Sequence, residues 1–229
     1  TSTQEMTKLG SSRRIAVAVT GHGFGHATRT AEVLRELILL CPSLEVTVSS
    51  TVPRRFFDTG LGSQVTFRSQ AYEPGTVQKS CFEVDLSATR IVYRRYLDER
   101  KERLRAEMEF LSSGGFDGVL ADIPAIPVAA ARACGIRVAG LWNFTWDWIL
   151  EPIVRDARVP DPLLASLPSL LHDDYAAAGL HLRLPFSAAE TTLPNVEDAP
   201  LVGRKSRAQR PATLEKVGLS SEDSRPLVL

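Results

Sequence analysis

Two histidines and three glycines share six consecutive positions, Gly21-His22-Gly23-Phe24-Gly25-His26. Imidazole titrates near neutral pH, so a histidine held in a loop can take the proton of a hydroxyl as a general base. Glycines let backbone N–H groups come close to a bound molecule. By residue type either His22 or His26 suits the role of base. Two other readings stand beside it: metal ligation at four-residue spacing, for which no third ligand stands out, and simple bonding of the imidazoles to nearby backbone. Asp122, which closes the apolar run Gly118-Val119-Leu120-Ala121, could orient such a base. A carboxylate that accepts from an imidazole N–H sets its tautomer and stabilises the imidazolium. The alternative for Asp122 is to cap the helix that follows. Trp142-Asn143-Phe144-Thr145-Trp146-Asp147-Trp148 interleaves aromatic rings with polar groups, a surface suited to sugars or planar acceptors. Trp142, Asn143, Thr145 and Asp147 are the candidates for ligand contact, with core packing the competing role of the aromatics. Arg29, one turn past His26, can meet a phosphate or carboxylate, or close an ordinary salt bridge.

The elements around these residues must hold them at one rim. Ile15-Ala16-Val17-Ala18-Val19 reads as a strand buried on both faces, and the glycine loop follows at once. Thr30, Val33, Leu34, Leu37, Ile38 and Cys41 then fall on one helix face, which Pro42 terminates. Leu44–Ser50 reads as the next strand, completing a βαβ unit with a right-handed crossover. In such sheets ligands bind where strand ends meet helix N-termini. Further along, Pro53–Asp58 suggests a short helix, Val65–Phe67 a strand, Tyr72–Phe82 a loop and Val84–Ser112 a long helix with a charged, solvated face. Gly118–Asp122 and Val138–Leu141 are strands around the helix Ile126–Cys134. A helix over Asp161–Ala178 and a late strand His181–Leu184 complete the unit. The fold class is α/β, a Rossmann-like, mostly parallel sheet flanked by helices. Residues 1–12 read as a disordered lead-in and 13–193 as one domain. In 194–229 prolines and Arg204, Lys205, Arg207 and Arg210 suggest a linker, and Arg225–Leu229 the first strand of another domain.

Composition narrows the partners. The chain has 27 basic and 27 acidic residues among 229, so no general attraction to nucleic acid or anionic membrane is expected. No apolar run reaches the ~20 residues that span a bilayer. Three scattered cysteines argue against a disulfide framework or zinc site and for a reducing cytoplasm. The loop departs from GxGxxG, since His26 stands at the third glycine and Ser49-Ser50-Thr51, without an acid, end the second strand; GxxxxGK[ST] is absent. Nicotinamide and P-loop chemistry are therefore disfavoured.

Gly23-Phe24-Gly25-His26 after a first strand, with Val119-Leu120-Ala121-Asp122 later, resembles the N-terminal domain of GT-B glycosyltransferases, including MurG-like and plant UDP-glycosyltransferases. That resemblance implies His26 as the base and Asp122 as its partner. Val19-Thr20-Gly21-His22-Gly23-Phe24-Gly25-His26-Ala27-Thr28-Arg29, Asn143-Phe144-Thr145-Trp146-Asp147 and Leu182-Arg183-Leu184-Pro185 are similar to the glycosyltransferase-like N-terminal region of plant-type L-arabinokinases, over roughly residues 13 to 205. It adds Thr28 and the loop residues to the substrate-binding candidates. The implied donor is a nucleoside diphosphate sugar and the acceptor a small molecule or glycan, with inversion and no metal, since no DxD-type pair stands out, and no cofactor. By the same likeness 194–229 leads into a truncated nucleotide-sugar-binding domain. The isolated chain is then expected to transfer poorly. A non-catalytic binding or regulatory module is the other function the likeness implies.

Overall fold

Ala16, Val17, Ala18 and Val19 are each at most 4% exposed. They belong to β1 (Arg14–Val19), which lies inside a sheet whose two faces are both covered. Side chains alternate across a strand, so Ala16 and Ala18 enter one apolar core while Val17 and Val19 enter the other. The computed structural model describes residues 13–57, 61–155, 161–187, 192–203, 209–222 and 224–225. The lead-in over 1–12, Arg204, Lys205 and Arg207 of the polar stretch, and all but the first residue of the strand expected over 225–229 lie outside the described residues.

After β1 come α1 (Phe24–Leu40), β2 (Glu45–Ser50) and β3 (Val65–Ser69). A hairpin of β4 (Gln78–Ser80) and β5 (Glu83–Val84) precedes the 29-residue α2 (Leu86–Gly114). Then follow β6 (Gly118–Asp122), α3 (Ile126–Ala133), β7 (Arg137–Trp142), α4 (Trp146–Arg155), α5 (Pro162–Ala165), α6 (Leu167–Ala176), β8 (Leu180–Arg183), β9 (Val196–Asp198) and α7 (Arg210–Lys216). The main sheet has seven strands in the order β3-β2-β1-β6-β7-β8-β9, and every neighbouring pair is parallel. From β1 the chain runs outward to β2 and β3, then crosses back to place β6 on the opposite side of β1. The β1/β6 boundary is thus the topological switch point, where the loops of adjacent strands diverge and leave a crevice.

The helices seat themselves by ordinary rules. Ala27, Ala31 and Leu34 of α1 are completely buried on β1 and β2; a buried leucine side chain contributes roughly 2 kcal/mol. Asp85 caps α2 by accepting from the Ala88 N–H at 2.9 Å. Gly115 ends it at φ 62°, a left-handed conformation that suits glycine.

Three stretches differ from expectation. The loop over Tyr72–Phe82 contains most of a short antiparallel hairpin, whose exposed strands lack an alternating apolar pattern. The helix over Asp161–Ala178 is broken at Ser166 into α5 and α6, with Pro168 early in the second. Val196–Asp198, within the stretch read as linker, forms the seventh strand of the sheet, pairing His181 with Val196 and Arg183 with Asp198. Its three residues, two of them acidic and exposed, carry no burial pattern to betray an edge strand.

Candidate functional site

Both sides of the switch point carry polar groups. Val19 of β1 lies in register with Asp122 of β6, and the Thr20 N–H donates to the Asp122 carbonyl at 3.1 Å. The chain then turns through Gly21 and Gly23, the latter at φ 85°, and enters α1 at Phe24. This brings His26, in the first turn of α1, over the end of β6. His26 Nδ1 and Asp122 Oδ1 are 2.9 Å apart. Asp122 is fully buried, while the His26 side chain keeps 12% of its surface exposed.

Asp122 has further partners that its position in the sequence does not disclose. Arg29 donates through Nε to Oδ2 at 2.8 Å and through a terminal nitrogen to Oδ1 at 2.5 Å, a two-pronged pairing. Thr30 Oγ1 donates to Oδ2 at 2.6 Å. Burial is the largest single influence on the Asp122 carboxyl and would raise its pKa. The hydrogen bonds and charges of Arg29 and His26 together outweigh it, and the carboxyl titrates below its ordinary range. Asp122 is therefore an anion. It does not cap α3: that helix has no side-chain cap from its own N-cap residue, and Glu73 Oε1 accepts from the N–H groups of Ala125 and Ile126 at 2.8 and 3.2 Å.

The second prong of Arg29 also lies 2.9 Å from His26 Nδ1. One nitrogen cannot donate to Asp122 and accept from Arg29 at once. The anionic carboxylate is a stronger acceptor than a neutral imidazole and already takes the Arg29 donors, so the imidazole proton lies on Nδ1, facing Asp122. Nε2 is then the bare nitrogen. The other terminal nitrogen of Arg29 donates to Asn143 Oδ1 at 2.9 Å, which ties the end of β7 to this cluster. Arg29 thus closes a salt bridge to Asp122, and it also lines the pocket described next.

A pocket of about 340 Å³ opens over these groups, lined by Gly25, His26, Thr28, Arg29, Asn143 and Val202. Thr28 Oγ1 donates to the Gly25 carbonyl at 3.0 Å. Phe24 stands outside, 54% exposed and stacked on Phe56 at 4.1 Å between ring centroids. His22 points the other way. Its Nε2 lies 3.2 Å from the Glu73 carbonyl oxygen, and its ring packs edge-on to Trp146. Burial lowers the His22 pKa more than the Glu73 carbonyl raises it. Gly75, at φ 68°, makes room for this ring: a Cβ there would sit 2.0 Å from His22 Cε1. The two histidines thus part, His26 to the pocket and His22 to the interior. Among the described residues no group of three His, Cys, Asp or Glu side chains could hold a metal ion.

Asn143 also lines a larger cleft of about 990 Å³, together with Trp142, Thr145 and Asp147. Trp142 is packed between Tyr175 and His181, and Thr145 is nearly buried. The sequence did not single out Thr30, Glu73 or His172, a further lining residue of the cleft. Glu73 alone left a signal, an acid in an otherwise apolar and small stretch, Ala71-Tyr72-Glu73-Pro74-Gly75.

Fold and site define a class: a Rossmann-like α/β domain with the GT-B, glycosyltransferase-like fold, its histidine and acid at the switch point. Among solved structures, Phytolacca americana UGT2 complexed with UDP-2-fluoro-glucose and pterostilbene matches with a TM-score of 0.52 at 12% identity, over 89% of this chain and 57% of that one. A UDP-glucosyltransferase from Polygonum tinctorium capable of glucosylating indoxyl matches with a TM-score of 0.50 at 15% identity, over 91% and 56%. In sequence the chain is similar to the L-arabinokinase of Arabidopsis thaliana, 32% identical over 219 residues, which is 93% of this chain and 20% of that protein. The chain therefore spans a fifth of the length of its curated relative and a little over half of these structures. No family model matches it. No helix among the described residues is long and apolar enough to cross a membrane.

Proposed function

We propose that this chain is the acceptor-side half of a glycosyltransferase that uses a nucleoside diphosphate sugar. The observation that carries the reading is the anionic, fully buried Asp122 bonded to Nδ1 of a His26 that lines an open pocket. Nε2 takes the proton of an acceptor hydroxyl or amine as its oxygen or nitrogen attacks the anomeric carbon. The bond from that carbon to the diphosphate oxygen breaks, and the diphosphate leaves with the electron pair. Attack opposite the leaving group inverts the anomeric centre. Asp122 holds the tautomer and stabilises the imidazolium. In this reading neither a metal nor a cofactor takes part in the proton transfer, and the donor is held mainly by a second domain. The three described cysteines are free thiols, which suits a cytoplasmic setting.

A specific observation favours a second reading, a non-catalytic sugar- or nucleotide-binding module: the 32% identity to L-arabinokinase, of which this chain matches only a fifth. One experiment separates the two. In the longest natural form of the protein, consumption of UDP-sugars is followed with an acceptor panel, for the wild type and a folded His26→Ala variant. Transfer that falls by roughly 10²–10⁴ in the variant supports the base. Transfer unchanged in the variant removes His26 from the reaction, and calorimetric binding of UDP-sugars without any transfer favours the module.

A further inference from the structure

A second histidine–aspartate pair lies in the large cleft, away from His26. His172 on α6 faces Asp147 on α4, with Nδ1 3.0 Å from Asp147 Oδ2. Thr192 Oγ1 lies 3.3 Å from the other ring nitrogen, Nε2. The Asp147 side chain is mostly shielded and that of His172 about one-third exposed, at 14% and 31%. The carboxylate directs the imidazole proton to Nδ1, so Nε2 is an acceptor at the cleft wall, to which the Thr192 hydroxyl donates and which a ligand hydroxyl would take over. Asp147 Oδ1 is buried and has no hydrogen-bond partner among the described residues; a buried acceptor without a donor is a loss of about 1–3 kcal/mol.

The rest of the wall narrows what can enter. Trp148 is 52% exposed and lines the cleft, offering an apolar ring face. Asp173 adds another acceptor, and Glu151 a further carboxylate whose one oxygen is paired with Arg155 at 2.6 Å. The arginine of the wall, Arg183, is committed: it donates to both carboxylate oxygens of Asp198 at 2.6 and 3.1 Å. An anion entering here would meet three carboxylates and an arginine already neutralised. A lipid or purely apolar molecule would desolvate those carboxylates without giving them donors. A neutral sugar fits both demands, since its hydroxyls donate to the acceptors while its C–H face packs on the indole.

The geometry points to this cleft as the binding site for a neutral carbohydrate, recognised by His172, Asp147 and Trp148. Resting on the transferase reading, that carbohydrate belongs to the acceptor. The cleft meets the His26 pocket at Asn143, which lines both. A sugar seated against α4 and α6 can thus extend a hydroxyl toward His26.

Binding is tested without turnover, on the chain as it stands. Saturation-transfer NMR and tryptophan fluorescence are recorded with methyl glucoside, methyl galactoside, methyl xyloside, cellobiose and lactose, and with glucuronate as the anionic control. At least one neutral sugar should bind saturably and more tightly than glucuronate. His172→Ala and Trp148→Ala should each weaken it about tenfold or more, the scale of one lost hydrogen bond or ring face. Arg105→Ala, an exposed position on α2 that lines neither pocket, should bind it like the wild type. Far-UV circular dichroism confirms that each variant is folded, and His172→Gln, which keeps polarity at the position, stands in if the alanine variant is not. Absence of saturable binding by all five sugars overturns the proposal. So does binding that both cleft variants leave intact, or glucuronate binding as tightly as any neutral sugar. If sugar binding holds while the longer protein shows no transfer, the cleft stands and only the transferase reading falls.

Discussion

Replacing Arg29 with methionine should destabilise the fold and let Asp122 take up a proton more readily. Arg29 holds the fully buried carboxylate through two donors, at 2.8 and 2.5 Å, and its own side chain keeps only 15% of its surface exposed. Burial alone would raise the Asp122 carboxyl; the bonds and charge of Arg29, with those of His26, hold it below its ordinary range. Removing one partner of a buried ion pair costs about 3–5 kcal/mol. A carboxyl depressed in the folded state stabilises that state above its unfolded pKa, and the contribution is lost as pH falls through the folded value. The deficit of Arg29→Met against the wild type should therefore be full at pH 7 and shrink on acidification. The assay is urea denaturation of both proteins at pH 7 and pH 4, run cold and followed by circular dichroism. Arg29→Lys, which keeps the charge and loses the fork, should fall between. A loss under about 1 kcal/mol at pH 7, or a deficit that grows on acidification, would refute the electrostatic reasoning.

Two other predictions concern the interior behind the site. Burial, opposed by bonds to backbone N–H groups at Ala125 and Ile126, pushes the Glu73 carboxyl up from 4.5 to about 7. Between those values the folded chain holds a proton that the unfolded chain has released, so its stabilising effect is complete below the lower value and lost as pH rises through 7. Glu73→Gln keeps the acceptor oxygen and cannot ionise. It should therefore gain about 3 kcal/mol relative to wild type between pH 4 and pH 8, read from urea denaturation at both; an equal difference at the two pH values contradicts this. Gly75→Ala should destabilise by about 2–4 kcal/mol, since its Cβ would strike the His22 ring at 2.0 Å and its φ of 68° disfavours a side chain. Adding His22→Ala removes the steric part, so the two changes should be strongly non-additive in thermal unfolding; simple additivity would show that the close approach does not matter.

Much of this arrangement was legible in the residues. The run Ile15–Val19, the glycine turn and the apolar face of α1 each follow a local period, and local periods survive folding wherever a face must be buried. The meeting of His26 with Asp122 follows from one step more, the placement of β6 beside β1. The rest depends on encounters between distant segments. Arg29 has the same one-turn spacing from His26 whether it meets a phosphate or Asp122, 93 residues away. Glu73 looks like a loop acid, and its burial under α3 is decided by tertiary packing. His172 sits in an ordinary helical pattern, and nothing near it in sequence announces Asp147 across the cleft. The edge strand Val196–Asp198 is too short and too polar to carry a period.

The residue after Asp122 has a consequence of its own. Ile123 is a β-branched residue at φ 84°, a conformation whose cost is of order 1–3 kcal/mol and which persists only when its surroundings enforce it. The enforcement comes from Tyr175, whose hydroxyl donates to the Ile123 carbonyl at 2.8 Å and accepts from the Trp146 N–H at 3.3 Å. Tyr175 lies three residues beyond His172 on the same helix. The element that forms one wall of the cleft is therefore also the latch on a sprung peptide beside the buried acid. A displacement of α6 would therefore act first on the peptide next to Asp122, which makes Tyr175→Phe the change that unlatches it without touching either pocket.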